Sequence, residues 1–194
     1  MRTWARSAAA LLLTAAVTAT PIAHADNPTP SLPVFTPYAS DWQPNTTVYP
    51  YNLWQNRVTS EQVTAMRESC QWFNAQYDTL MSQVLGFQHF LDQRHDVWTA
   101  PGVQQAADTI IANLDQSAAF LDPRGHTLFI VNYPDQSEYS PVYNGDSMFH
   151  LWYQLTQISD KMKRKLPSGQ INANIATANV YGTTIRDSQV CAGA

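Results

Sequence analysis

The residues of this chain whose type and spacing can do chemistry are two cysteines, a group of histidines and aspartates, one further Asp/His pair and a knot of cations. Cys70 and Cys191 are the only cysteines. In an oxidising compartment an even pair reads as one disulfide, with two free thiols as the alternative. The bridge would close 191 − 70 = 121 residues, a constraint on the unfolded chain of about 5 kcal/mol on the chain-entropy model. His89, Asp92, His95 and Asp96 carry metal-ligand atoms, but His95 lies six positions from His89 and on a helix points away from it. Helix-borne zinc pairs use a spacing of four, and that position after His89 is Gln93. The group reads as a solvated polar helix end, and neither metal nor cofactor is expected.

Asp146 and His150 are four apart and can face each other, although a helix cap and a surface histidine explain them more simply. Glu61, Glu68 and Glu138 are the only glutamates, and nothing in their spacing suggests an acid/base pair. The chain has no G-x-S-x-G elbow, C-x-x-C, H-E-x-x-H, phosphate-binding glycine loop or calcium loop. A Ser, a His and an Asp can still converge in space, so a hydrolase with a dispersed site stays as an alternative to a non-enzyme. Lys161, Lys163, Arg164 and Lys165 crowd one helix end, where cations answer the helix dipole. Contact with anionic lipid or an acidic partner is the sharper reading of the same residues.

These groups need elements to position them, and the strongest is the stretch Thr59 to Asp96. Val63, Met66, Cys70, Phe73, Tyr77, Leu80, Val84, Phe87 and Leu91 recur at alternating spacings of three and four, flanked by Met81, Leu85 and Phe90. That predicts a long helix with one wide apolar face, started by a Thr59/Gln62 capping box and interrupted at Gly86. A second helix is expected from Pro101 to Leu121, capped by Thr99 and ended by Asp122-Pro123-Arg124-Gly125. The run Thr127 to Tyr133 is β-prone, and reads as a short strand, an extended core segment or another helical turn. Asn132 to Asp146 reads as a long ordered loop carrying Tyr133, Tyr139 and Tyr143. A third helix is expected from Asp146 or Ser147 as cap to Leu166, and a weak fourth from Gln170 to about Tyr181, broken by Gly182.

The N-terminal segments differ in kind. Met1 to Ala25 has Arg2 and Arg6, a short apolar run and Ala23-His24-Ala25, the pattern of a Sec-type signal peptide cleaved after Ala25. From Asp26 to Pro50 there are six prolines and no glycine, which excludes helix and favours extended geometry. Its aromatics predict that Val34 to Trp54 lies over the helical body with Trp42 and Trp54 buried, and that Asp26 to Leu32 is loose. The organisation is thus a signal peptide over residues 1–25, an extended Pro- and aromatic-rich arm over 26–54, and a helical domain over 55–194. Without the signal peptide the balance of charges is 9 − 15 = −6, which argues against nucleic acid as the main partner. No later stretch is apolar enough for a transmembrane segment.

The exported signal, the cysteine in the first long helix, the run Tyr143-Asn144-Gly145-Asp146 ahead of an aromatic-rich helix, and Val190-Cys191 near the terminus carry a resemblance. By these features the chain resembles small exported mycobacterial helical proteins with a disulfide, one family of which is associated with siderophore secretion. The resemblance implies an actinobacterial source, a compact helical body and a role assisting envelope export.

The sequence therefore predicts a mainly α, three- or four-helix bundle-like single domain with an extended arm and a Cys70–Cys191 disulfide. Its expected function is that of an exported, non-catalytic accessory or interaction protein, periplasmic, envelope-bound or secreted, with a protein of an envelope or membrane complex as partner. Tyr133, Tyr139, Tyr143, Tyr38 and Trp42 are the candidate interaction surface. The runner-up is a carrier of a small apolar or iron-containing ligand held between helices by Phe87, Phe90, Trp152 and Tyr77.

Overall fold

The structure of the protein, a computed structural model, describes residues 29–44, 58–129 and 142–194. The signal-peptide stretch, Trp54, Tyr133 and Tyr139 lie outside the described residues. Helix α1 begins with the expected capping box: Thr59 Oγ1 accepts from the Gln62 amide at 3.2 Å, and Gln62 Oε1 accepts from the Thr59 amide at 3.0 Å. It runs as Ser60–Trp72, widens into a π-helical turn at Phe73–Tyr77, and continues as Asp78–Asp92. The apolar stripe from Met66 to Leu91 is buried along its whole length. The π-turn divides the work of that stripe. Before it α1 packs on the second helix; after it α1 packs on both the second and the last. Gly86, expected to interrupt the helix, faces open space inside a regular stretch, and the irregularity lies about two and a half to three and a half turns before it.

Helix α2 spans Val103–Leu128, α3 Gly145–Lys163 and α4 Ser168–Asp187. Each helix packs on its neighbours in sequence, and α4 closes the ring on α1. Cross-helix contacts give the directions. Glu68, early in α1, meets Arg124, late in α2; Gly125 of α2 meets Phe149 of α3; Lys161 of α3 meets Gln170 of α4. All neighbours are antiparallel, so this is an up-down-up-down four-helix bundle. The Cys70–Cys191 disulfide is formed, with both residues buried, and joins the first half of α1 to the end of the chain.

Five helix limits differ from the sequence expectation, each for a definite physical reason. The α2 helix starts after Gly102, in the left-handed region at φ 79°, and Thr99 does not cap it. It continues through Pro123 because Arg124 binds Glu68 and the Phe120 carbonyl, while Gly125 lets the backbone of α3 come close. Thr127 and Leu128 are therefore helical, which removes a strand reading for the start of that run. The cap of α3 is Asn144 at φ 58°, in place of Asp146 or Ser147. At its other end Lys165 takes φ 54°, and the Lys165 and Leu166 amides donate back to Met162 and Lys161. That Schellman arrangement ends the helix three residues before Leu166. The α4 helix is neither weak nor broken: it passes straight through Gly182, whose missing side chain makes room for Tyr77.

Candidate functional site

The arm supplies the most elaborated surface feature. Residues 30–38 lie between α1 and α2, held by amide side chains that reach for its main chain. The Pro30 carbonyl accepts from Gln83 of α1 at 2.9 Å and from Asn113 of α2 at 3.1 Å. Three residues on, the Pro33 carbonyl accepts from Gln76 at 2.7 Å and Gln116 at 2.8 Å, again one donor from each helix. Between them the Leu32 amide donates to Asn113 Oδ1 at 2.9 Å. Further along, Tyr38 exchanges two hydrogen bonds with Gln71, its amide donating at 3.2 Å and its carbonyl accepting at 3.0 Å.

Proline explains why amides on two helices can find these carbonyls. A segment rich in proline keeps an extended, threefold backbone with no internal hydrogen bonds, so carbonyls three residues apart face the same way and stay free. Asn113 and Gln76 are buried, with 3% and 5% of their surface exposed, so their amides would be costly to leave unpaired. Side chains anchor the arm at two points. Leu32 and Phe35 pack on the core, the Phe35 ring meeting Phe120 edge-on at 4.9 Å. The loose segment expected up to Leu32 is therefore fixed at its last three residues.

The candidate interaction residues separate into different roles. Trp42 is buried, as expected, and its indole Nε1 donates to the Val190 carbonyl at 3.2 Å. That contact places the arm against the C-terminal segment beside the disulfide. Tyr38 keeps 55% of its surface exposed while its hydroxyl donates to the Ala194 carbonyl at 3.0 Å. Tyr143 is half-buried against the core at the entry to α3. Tyr38 and Trp42 thus share the arm and the C-terminal edge, and Tyr143 lies on a different element.

A second concave feature lies between α1 and α4 at the π-turn. It encloses about 600 Å³ and is lined by Tyr77, Met81, Ser82, Leu85, Asn179 and Arg186, among others. The Tyr77 hydroxyl donates to the Ala178 carbonyl at 3.3 Å and lies 3.4 Å from Asn179 Oδ1. Burial pushes its pKa up to about 12, against a lowering by nearby Arg186 and a further rise from Asp78. Arg186 and Asp78 pair across the rim. Of the four aromatics expected to hold a ligand, only Tyr77 reaches this groove. Phe87 packs on Trp98, Phe90 lies under the Arg94 guanidinium, and Trp152 packs on His126 and Phe149 at the far side of the bundle.

The titratable groups singled out by spacing have local duties. Asp96 accepts the Ser168 amide at 2.7 Å and Asp92 the Ser168 hydroxyl at 3.4 Å, so two carboxylates of the His/Asp group close the N-terminus of α4. His89 bonds Gln93 at 2.8 Å. His150 lies 3.4 Å from Asp146 and stacks on Tyr181. In the cationic group Lys163 pairs with Asp115, Arg164 with Asp160, and Lys161 donates to the Gln170 carbonyl. Among the described residues no cluster of three His, Cys, Asp or Glu could hold a metal ion, and no helix is long and apolar enough to cross a membrane.

Sequence reasoning missed the amides. Gln71, Gln76, Gln83, Asn113 and Gln116 look like ordinary polar positions, although Gln76 and Gln83 are seven apart, two helical turns on one face. No protein-family model matches the chain, and no curated protein or solved structure matches it at a significant level.

Proposed function

We propose that this chain is an exported, non-catalytic interaction protein of the cell envelope that presents the outer face of its docked arm to a protein partner. The observation that carries this reading is the division of labour within the arm: its main chain is consumed by the bundle while Val34 and Tyr38 remain 77% and 55% exposed. A rigid extended segment with outward apolar and aromatic side chains binds a partner at a low entropic cost, because its backbone is already ordered. The leader-like first 25 residues and the single disulfide support export, and the resemblance to exported mycobacterial proteins suggests a complex engaged in envelope export as the setting. Native mass spectrometry of the protein purified gently from its own host's envelope tests this. A larger assembly is expected, lost in a Val34→Ser, Tyr38→Ser variant that keeps its disulfide and helix content.

The groove beside the π-turn favours a second reading, a carrier of a small ligand, since Tyr77, Met81 and Leu85 give it an apolar wall and Arg186 a polar rim. The same experiment separates the two. A small mass lost on denaturation, unaffected by changes at Val34 and Tyr38, would replace the partner reading with the carrier.

A further inference from the structure

The way the arm is held has a consequence beyond presentation. Seven hydrogen bonds from α1 and α2 fix residues 30–38, and every one goes to a main-chain atom of the arm, so they require a backbone shape and do not depend on arm side chains. The two doubly received carbonyls belong to Pro30 and Pro33, the Leu32 amide is bonded, and Phe35 enters beside Phe120. The groove therefore reads P-x-x-P-x-F, with a non-proline residue before the second proline. The segment known to satisfy it is the arm itself.

We propose that the groove between α1 and α2 is a receptor for this motif in trans, and that its occupant is the arm of a second copy of the chain. Thirteen residues separate Pro44 from Val58, a span that can reach roughly 43 Å when extended, so an arm can leave its own bundle without disturbing α1. Exchange between two copies preserves every arm contact and generates a two-fold pair. Within one copy the arm competes at an effective concentration in the millimolar range, so the exchanged pair is the form of a crowded or surface-retained population.

Complementation between two full-length variants tests this. One carries Leu32→Ala and Phe35→Ala, leaving its groove intact but its arm poorly anchored. The other carries Gln76→Ala and Asn113→Ala, leaving its arm intact but its groove impaired. Each alone should be monomeric by light scattering. An equimolar mixture should form a 1:1 dimer at a protein concentration at least tenfold below that at which the unmodified chain self-associates. A mixture that stays monomeric, with both variants helical by circular dichroism and oxidised by intact mass, overturns the proposal. A synthetic peptide covering residues 29–38 is titrated in parallel into the first variant. Its binding without pairing of the copies also overturns the second copy as occupant, leaving a proline-rich segment of another protein as the groove's ligand. If either double variant fails to fold, the single changes Phe35→Ala and Gln76→Ala serve as the pair, judged by the same outcomes. Presentation of Val34 and Tyr38 to a partner is read separately, by the envelope assembly described above.

Discussion

Tyr77 occupies the space that any side chain at position 182 would need. A Cβ on Gly182 would overlap the Tyr77 hydroxyl and the ring carbon that bears it. Alanine is normally the better helix residue by about 1 kcal/mol, so an exposed glycine in α4 would be improved by it. Here the sign reverses. Gly182→Ala should destabilise the protein by about 1–3 kcal/mol, the range for overpacking a core, because Tyr77 must leave its position and the bonds of its hydroxyl. In a Tyr77→Ala background the same change should be neutral or stabilising. Urea unfolding of the four proteins of this cycle measures the coupling, and additive effects would refute the contact.

The same tyrosine should give alkaline stability a defined window. Its pKa is raised from 10.0 to about 12 in the folded chain, so the folded state holds the phenolic proton more tightly than the unfolded one. Stability from this source is complete below pH 10 and lost as the pH rises toward 12, because the unfolded chain ionises first. The loss is on the order of 3 kcal/mol. Tyr77→Phe should remove this component of the slope in urea midpoints measured across that window.

Replacing Cys70 and Cys191 together by serine should cost about 2–5 kcal/mol, the usual range for a native disulfide. The bridge spans a sequence separation of 121 residues and joins α1 to a C-terminal segment also held by Trp42 and Asn74. Chemical denaturation of the oxidised and doubly substituted proteins gives the difference. Trp42→Phe should add to it, since it leaves the Val190 carbonyl without its indole partner.

What the sequence made legible follows from which signals are local. The capping box at Thr59, the stripe of α1 and the pairing of the cysteines depend on residue type and spacing, and each was readable. Two helix breakers misled for one reason, which is tertiary contact. Pro123 and Gly182 are tolerated because Arg124 and Gly125 secure α2 on its neighbours and Tyr77 fills the gap in α4. The π-turn left no mark in the periodicity, which continues at three and four across Phe73 to Tyr77. At the candidate site the arm and its burial of Trp42 were legible from proline and aromatic content. Its receptors were not, since a glutamine that binds a distant carbonyl has the same local pattern as one that faces water.

Asn113 tests that last point directly. Its side chain accepts from the Leu32 amide and donates to the Pro30 carbonyl and to Gln83 Oε1, so one residue joins the arm to both helices. Asn113→Ala removes all three bonds and leaves the Leu32 amide short of its acceptor, a loss of about 2–3 kcal/mol once the unmatched group is included. Asn113→Leu fills the volume but pairs nothing, and should cost a similar amount, which separates lost hydrogen bonding from lost packing. In both variants the cost should fall on the arm first. Hydrogen exchange at Leu32 and Tyr38 should accelerate by more than tenfold while amides in the middle of α3 and α4 change little, because those helices make no contact with Asn113 through these bonds. Uniform acceleration across the bundle would show instead that Asn113 is a core residue whose bonds to the arm are incidental.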